Sequence, residues 1–466
     1  MRYILKWNPE LAKNLWTEFS PQRLVAMPAI IGLITLLLFT NFDDEVSAWK
    51  TIHYVSLSGF ILLGMLWGVK SAADSIIDEY NEKTWDWQKM SIIGPWKLAI
   101  GKLFGSTSYN WYGAMICWAL FVTSSFYTEQ PYTELKIAVL LILSMISVHG
   151  LMLIISLQMI RKADGRTKIK SNRIFIIGIV LISTASRFFG LSYLDDGTDS
   201  PLSWYNVIKN PTDIAILNTL FYGGWILAAL YRSMRAELQF SDKPIWWFAF
   251  IFSNLIFQYG FIIGIEKITL VTDFSLSLGI LFLETITLVY FLALTEAKNI
   301  VNFRYLVQSL RTNNIDGFLR QVPLWLITLP ISFLLGLAAV LLFTVMPITD
   351  STKELFADFS IKNSLSLILA LIAIYGFVIR DLGILLLLNF SSRPKRADAA
   401  MIIYLLLAYA LFPMLTKDLP IIGLFYPNVQ GNLFLMVAIP LVEMSIVLFF
   451  LSKRWQALKA ADNTAI

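Results

Sequence analysis

Three ionisable side chains lie inside long apolar runs of this chain, where a charge is costly. They are Glu284, Glu443 and Arg187. Charges at membrane depth usually contact a polar or cationic cargo, carry protons or line a pathway, so we predict these three as candidates for a translocation pathway. The alternative is that each only fixes helix packing by bonding to neighbouring polar groups. Arg187, about one turn from the end of its run, could also extend to the membrane interface.

Other kinds of chemistry find little support in the sequence. The single cysteine, Cys117, and the two histidines form neither a disulfide framework nor a metal-binding pattern. The nearest approach to the phosphate-binding pattern G-x-x-x-x-G-K-[ST] is Gly94 to Leu103, which has too many residues between its glycines and a leucine at the Mg²⁺-binding position. We therefore expect no catalytic, cofactor-binding or metal site in this chain, and no ATP hydrolysis by the chain alone.

A polar and aromatic segment, residues 79–102 (EYNEKTWDWQKMSIIGPWKLAIGK), separates two apolar runs. It is too polar to cross a bilayer, and Gly94-Pro95 predicts a break between two short helices. Trp and Met are enriched at recognition surfaces, whereas interfacial Trp can also simply hold a segment at the lipid headgroups. Acidic residues alternate with the aromatic ones, which favours a surface for a soluble partner. Lys97 and Lys102 are expected to be interfacial anchors.

The composition indicates that these residues are positioned by membrane helices. The chain has 466 residues, of which 57% are hydrophobic and 15% charged, and its mean hydropathy is +0.66. Runs of about 17–25 apolar residues predict membrane-spanning helices. We therefore predict an all-α polytopic membrane protein with about 12 transmembrane helices, at 24–40, 53–69, 104–127, 136–160, 174–191, 214–231, 245–265, 274–295, 323–346, 364–379, 400–416 and 432–451.

The distribution of basic residues predicts the orientation. With the N-terminus in the cytoplasm, 29 of the 37 Lys and Arg fall in cytoplasmic segments, most densely at 161–173. Because cytoplasmic loops carry the Lys/Arg excess, we expect both termini in the cytoplasm of a bacterial-type inner membrane. The net charge of +5 is then explained by topology and membrane lipid, and we expect no nucleic-acid partner. The exceptions, in the outer loops, are Lys50, Lys136, Lys209, Lys267, Lys353, Lys362 and Lys417.

The helix starts and loop lengths predict an internal repeat. Helices of the second half begin about 220 residues after their counterparts, and each half has a long cytoplasmic segment between its second and third helices. Six helices in each half make the repeat parallel. The predicted halves are residues 1–232 and 233–466. Arg380-Asp381 is expected at the cytoplasmic end of the tenth helix, as a local pair.

Segment 79–102 resembles the coupling segment of ABC type-2 membrane permeases. In that family an acidic stretch leads into a short helix, and a Pro–x–x–(apolar)–(x)–Gly–Lys–Leu stretch opens the third membrane helix. The chain departs from the pattern where Lys83 replaces the usual glycine before Thr84. The start, NPELAKNLWTEFSPQRLVAMP, is similar to the family's N-terminal elbow helix. The positions that match are Glu79, Glu82, Thr84, Pro95, Gly101 and Lys102.

The resemblance covers residues 8–160 well and the second half only in layout. The equivalent segment there, residues 296–321, lacks the Trp and Pro pattern. The resemblance implies a permease whose two halves dock on a separate ATPase subunit, in two copies, which would bring ATP and Mg²⁺. The residues expected to contact that ATPase are Glu79, Glu82, Thr84, Trp85, Trp87, Met90, Pro95, Glu296, Arg304 and Arg311.

The short outer loops and apolar helices suggest an amphipathic or hydrophobic cargo. Two other classes stay open. An ion-gradient-driven secondary transporter would use Glu284 and Glu443 as proton carriers, but it does not explain the aromatic cytoplasmic segment. A membrane-embedded enzyme or scramblase is the other class, although the sequence holds no cluster of His, Asp or Cys for the chemistry of such an enzyme.

Overall fold

The computed structural model describes most of the chain as α-helix. An isolated β-bridge joins Trp204 and Ile208. The predicted helix 174–191 and its candidate Arg187 lie outside the described residues. Those residues are 7–42, 44–163, 168–169, 203–208, 210–240, 242–263, 270–345, 364–391, 396–415 and 432–463.

Ten of the described helices are long and apolar enough to cross a membrane, so the chain is a multi-pass helical membrane protein. The other helices are short or less apolar. In chain order the helices are α1 (Pro9–Glu18), α2 (Pro21–Thr40), α3 (Glu45–Asn81), α4 (Trp85–Lys89), α5 (Pro95–Ile100), α6 (Ser108–Ser125), α7 (Pro131–Lys162), α8 (Pro211–Glu237), α9 (Ile245–Ile262), α10 (Leu270–Thr295), α11 (Ile300–Arg311), α12 (Ile315–Gln321), α13 (Leu324–Val345), α14 (Ser364–Asn389), α15 (Ala397–Leu415) and α16 (Leu433–Asn463).

Side-chain caps and prolines set several helix starts. The side chain of Asn8 accepts a hydrogen bond from the backbone N–H of Leu11, and Pro9 occupies the first turn of α1. Ser20 and Pro21 do the same for α2. Asp44 caps α3 by accepting from two backbone N–H groups, and its pKa is lowered by hydrogen bonds from the Ser47 hydroxyl and backbone.

The described residues group into two compact units, Met1–Asp242 and Lys243–Ile466. In the first unit, α3 packs against α6 and α7, and α7 packs against α8. Part of α3, Ile61–Trp67, is π-helical, and the buried side chain of His149 lies 2.9 Å from the carbonyl oxygen of Gly64 in this turn. π-Turns are local departures from regular helix, and here one faces a buried polar side chain.

In the second unit, α10 packs against α13 and α14 packs against α16. The contact between α14 and α16 depends on small residues. A Cβ atom at Gly376 would lie 2.8 Å from the Cβ of Pro440 and within 3.3 Å of its backbone, so only glycine allows this approach. Pro440 lies inside α16, where its missing N–H weakens the helix locally.

The predicted helix bounds agree with the structure to different degrees. Ten of the predicted spans correspond to the ten apolar helices. Residues 104–127 contain α6, which is helical but is not among the ten. The predicted span 364–379 is too short, since α14 continues to Asn389. The predicted boundary between halves, at 232–233, falls within α8, and the repeat itself stays a prediction.

Candidate functional site

The polar segment starts with a tight corner at the end of α3. The backbone N–H of Thr84 donates to the carbonyl of Glu79 at 2.8 Å, and that of Lys83 donates to Tyr80 at 3.1 Å. Lys83 has a φ of 62°, in the left-handed region that favours glycine. This is the C-terminal helix motif in which a left-handed residue lets the chain reverse. Lys83, the left-handed residue, occupies the position at which the permease pattern has a glycine.

A buried cluster of charges holds the segment against the first membrane helices. The ammonium group of Lys102 lies 3.0 Å from a Glu10 oxygen and 2.5 Å from a Glu79 oxygen, and it donates to the carbonyl of Ser75 at 3.3 Å. The side chains of Lys102 and Glu10 are 1% and 4% exposed. The expectation that Lys102 anchors the segment at the lipid headgroups is therefore wrong, because its charge is enclosed by protein.

The other side of the cluster is open to solvent. Lys13 lies 3.2 Å from Glu79 and 3.8 Å from Glu10, but about half of its side chain is exposed. Burial alone would raise the pKa of Glu10, whereas the charges of Lys102 and Lys13 and the hydrogen bonds from Lys102 and Asn14 lower it. The net pKa is below the ordinary value of 4.5. Glu10 is therefore ionised at neutral pH, and α1 is tied electrostatically to the start of the third predicted span.

Close packing at a glycine reinforces the connection. A Cβ atom at Gly101 would lie 2.7 Å from the Cβ of Glu10, so α1 can approach this closely only against glycine. Residues Gly101–Gly105 form a second π-turn at the base of the cluster. The positions Gly101 and Lys102, which matched the permease pattern, are thus the ones at which α1 meets the segment.

Trp85 lies inside the first unit rather than on its surface. Its side chain is 1% exposed and belongs to the apolar core that includes Leu98, and its indole N–H donates to Glu237 at 3.4 Å. Glu237 also accepts from Arg161 at 2.5 Å. A partner cannot contact Trp85 in this conformation, so we remove it from the predicted docking surface. Its role is to hold α4 against the ends of α7 and α8.

The remaining residues of the segment present a mixed surface. Glu82 and Thr84 are exposed, and Pro95 is half-buried at the first position of α5. Glu79 is mostly buried by its ion pairs and by Gln88, whose amide donates to it at 2.5 Å. The apolar residues exposed over this stretch are Trp87 (73%), Met90 (71%), Ile92 (105%) and Trp96 (49%).

The second unit contains the same backbone corner. The N–H of Asn314 donates to the carbonyl of Ser309 at 2.9 Å, and the N–H of Asn313 donates to Leu310 at 3.3 Å. Asn313 has a φ of 54°. Asn tolerates the left-handed region better than most residues. The corner joins α11 to the short helix α12, as the first corner joins α3 to α4.

The predicted contact residues of the second segment have different surroundings. Glu296 is half-buried, and its carboxylate accepts hydrogen bonds from the backbone N–H of Leu324 at the start of α13. Arg304 is also half-buried and donates to the carbonyl of Leu458 in α16 at 3.0 Å. Arg311 is exposed. Glu296 and Arg304 therefore hold elements of the unit together, and a contact of any of the three with a partner stays a prediction.

Glu443 belongs to a buried charged network in the second unit. It accepts from Arg380 at 2.5 Å, and Arg380 also donates to Asp381 at 2.9 Å. Because α14 continues to Asn389, this pair lies within the span and not at its cytoplasmic end, so the predicted location is wrong. Asp381 also accepts from three hydroxyl groups, those of Tyr290 (2.7 Å), Tyr404 (3.0 Å) and Tyr409 (2.5 Å).

The tyrosines of this network were not identified from the sequence, because they lie on α10 and α15, two spans other than the one that carries Arg380 and Asp381. A signal was available, because a charged pair inside an apolar helix requires partners on its neighbours. In the structure, the guanidinium group of Arg380 forms an ion pair with the carboxylate of Glu443. This pairing favours the structural interpretation of Glu443 over its use as a freely exchanging carrier.

Glu284 lies in a separate place from that network. The amide of Asn254 donates to one of its oxygens at 2.7 Å, and the amide of Gln258 donates to the other at 2.6 Å. Both amides come from α9. Of the three pathway candidates, the structure therefore describes two and does not bring them together. Among the described residues no group of three or more His, Cys, Asp or Glu side chains could hold a metal ion.

A comparison with protein-family models, with curated proteins and with solved structures finds no match for this chain. The class that can be stated is therefore the one that the helices define, a multi-pass α-helical membrane protein.

Proposed function

We propose that this chain is the permease of an ATP-driven exporter of the ABC type-2 class, built from two parallel six-helix halves. Two copies of a separate ATPase subunit would dock on the segments 79–102 and 296–321 and bind ATP with Mg²⁺. The cargo would be amphipathic or hydrophobic, and the membrane would be of the bacterial inner-membrane type, with both termini in the cytoplasm.

The observation that carries the proposal is the repeated corner. Glu79, Lys83 and Thr84 in the first unit have the same backbone bonds and the same left-handed residue as Ser309, Asn313 and Asn314 in the second. The three pairs are separated by the same number of residues. Each corner leads from a longer helix into a short one. Two equivalent segments are what a pair of identical ATPase subunits would require.

The surface of segment 79–102 supports a protein partner. Trp87, Met90 and Ile92 are exposed around a segment that also carries exposed charges, and aromatic and Met side chains are enriched at interfaces. The Lys102 cluster joins this segment to α1 and α3, so a force applied at the exposed side chains would reach the membrane helices through buried contacts.

The experiment is a pull-down of the detergent-solubilised full chain from its native membranes, followed by an assay of bound ATPase activity. The Trp87→Ala/Met90→Ala variant removes two exposed side chains without opening the core. The matched control is Tyr132→Ala, because Tyr132 is 72% exposed at the opposite end of α7 from Arg161. We expect the ATPase to co-purify with the wild type and the control, and at least about tenfold less with the variant.

Absence of any ATPase from a stable, monodisperse wild type would contradict the proposal. So would equal recovery with all three proteins if the second unit's Ile315→Ala/Arg311→Ala variant also had no effect. These two residues are exposed at the second corner. Including this variant allows for a partner that binds mainly to the second unit.

An ion-gradient-driven secondary transporter is the second candidate, and one observation favours it. Among the described residues, Glu284 forms no ion pair with Lys, Arg or His, and its hydrogen-bond partners are the two amides of Asn254 and Gln258. The pairing of Glu443 with Arg380 is less favourable to this candidate, because the carboxylate already has a cationic partner. Transport that follows an imposed proton gradient without ATP would select this candidate.

A further inference from the structure

Glu284 sits near the middle of its membrane-spanning helix. The apolar span of α10 is Phe274–Thr295, and its partners Asn254 and Gln258 lie one turn apart on α9, in the span Ile245–Ile262. All three side chains are therefore at membrane depth, where polar groups need partners. The amide contacts of 2.7 and 2.6 Å occupy one acceptor position on each carboxylate oxygen. A carboxylate offers about four such positions, so further donors can be accepted.

The surroundings of Glu284 differ from those of Glu443 in the part of the chain that the structure describes. Both amides donate to Glu284, so each carboxyl oxygen acts as an acceptor. The described residues provide Glu284 with no basic partner, in contrast to Glu443, which has Arg380. Glu284 is half-buried, so the described residues do not enclose it completely. A charge at this depth requires a counter-charge.

We propose that Glu284, oriented by Asn254 and Gln258, binds the ammonium group of an amphipathic amine. An ammonium group brings one positive charge and N–H donors for the free acceptor positions of the carboxylate. A small hydrated cation would not partition to this depth, whereas an amine with an apolar body does. That the amine is cargo rests on the proposed function, but its binding does not.

The test is photolabelling of the full chain in phosphatidylcholine vesicles. The probe is a long-chain primary amine with a diazirine beside the amino group, and labelled peptides are mapped by mass spectrometry. We expect labelling of the peptides around Asn254 and Glu284. The Glu284→Gln variant keeps the shape and an acceptor but removes the charge, and we expect about tenfold less labelling, as the loss of a charge-assisted hydrogen bond predicts.

Two controls separate charge from apolar partitioning. The N-acetylated form of the same probe has no charge and should label wild type and Glu284→Gln equally and weakly. Thr287→Val changes a polar residue on the same helix whose hydroxyl bonds only to the carbonyl of Leu283 among the described residues, and it should label like the wild type. Helical content and size-exclusion behaviour establish that each variant is folded.

Two results would overturn the inference. One is undiminished amine labelling of folded Glu284→Gln. The other, which needs no variant, is equal labelling of the wild type by the amine and its acetylated form. Addition of phosphatidylethanolamine identifies the source of the ammonium: competition indicates a lipid headgroup, and no competition indicates a free amine.

The result is independent of the pull-down. Labelling that depends on Glu284, together with no ATPase partner, would retain the amine site and reject the exporter. An ATPase partner without Glu284-dependent labelling would retain the exporter and reject the site.

Discussion

A lysine whose side chain is 1% exposed needs a partner for each of its N–H groups, and Lys102 has three. The partners are Glu10 in α1 and, in α3, Glu79 and the carbonyl of Ser75. Removing one member of a buried ion pair is strongly destabilising because the other charge stays buried. The sequence pattern identified Lys102 as part of a motif, but it could not show that Glu10, far away in the chain, would cover it.

We predict that Lys102→Met lowers the free energy of unfolding of the first unit by about 3 kcal/mol, because two carboxylates lose their buried cation. Lys13→Met is the control, since Lys13 contacts the same carboxylates while half exposed, and it should cost about 1 kcal/mol or less. The measurement is the denaturant dependence of Cys117 reactivity towards a maleimide, because Cys117 is buried in this unit and is the only cysteine of the chain.

The dependence on pH provides a check. Because the folded-state pKa of Glu10 is below 4.5, its ion pairs stabilise the unit above that pH and are lost as the pH falls through the lower folded-state value. The stability that these ion pairs give the wild type should therefore be constant from neutral pH down to about 4.5 and fall below it, and Lys102→Met should show a smaller fall over the same range. An equal cost for both lysine variants would show that burial of the cluster does not govern its strength.

At the scale of the element, the membrane helices were predictable and some of their ends were not. Apolar length is a strong signal, and ten predicted spans are helices long and apolar enough to cross a membrane. The end of α14 was misplaced because Arg380-Asp381 looked like a helix end in the sequence. In the structure Glu443 and three tyrosines neutralise or hydrogen-bond this pair, so the helix continues to Asn389. Such partners come from other helices and leave no local pattern.

The corner after α3 is a second feature of this scale, and it leads to a prediction about Lys83. A left-handed backbone costs a non-glycine residue roughly 1–2 kcal/mol, while glycine loses more entropy on folding. With a φ of 62°, Lys83→Gly should raise the free energy of unfolding by about 0.5 kcal/mol. Lys83→Ala removes the same charge without relieving the backbone, so it serves as the control. Reactivity of Cys117 again gives the measurement, and a stabilisation by both variants alike would assign the effect to charge.

At the scale of the molecule, the sequence predicted two halves from loop lengths and helix starts. The described residues group into two units that divide after Asp242, and equivalent corners occur in each, while the repeat of six helices stays a prediction. Differences between the corners were harder to predict. Trp85 is buried in the first unit against Glu237, whereas Ile315 occupies the first position of the short helix in the second and is 62% exposed. Whether the first side chain of the short helix is buried or exposed depends on the helices that pack against it. The hydropathy of the sequence does not reveal those neighbours.

A parallel arrangement of halves places both corner segments on the same side of the membrane. We test it with single cysteines at Ile92 and Ile315 in a Cys117→Ala background, because both isoleucines are exposed, at 105% and 62%. Tyr132→Cys, at the opposite end of α7, reports the other side. A membrane-impermeant maleimide should label Ile92→Cys and Ile315→Cys in inside-out vesicles and Tyr132→Cys in right-side-out vesicles, since the basic segments favour the cytoplasm. Labelling of the two isoleucine positions from opposite sides would make the repeat inverted, and a matching pair of ATPase subunits could then not reach both segments.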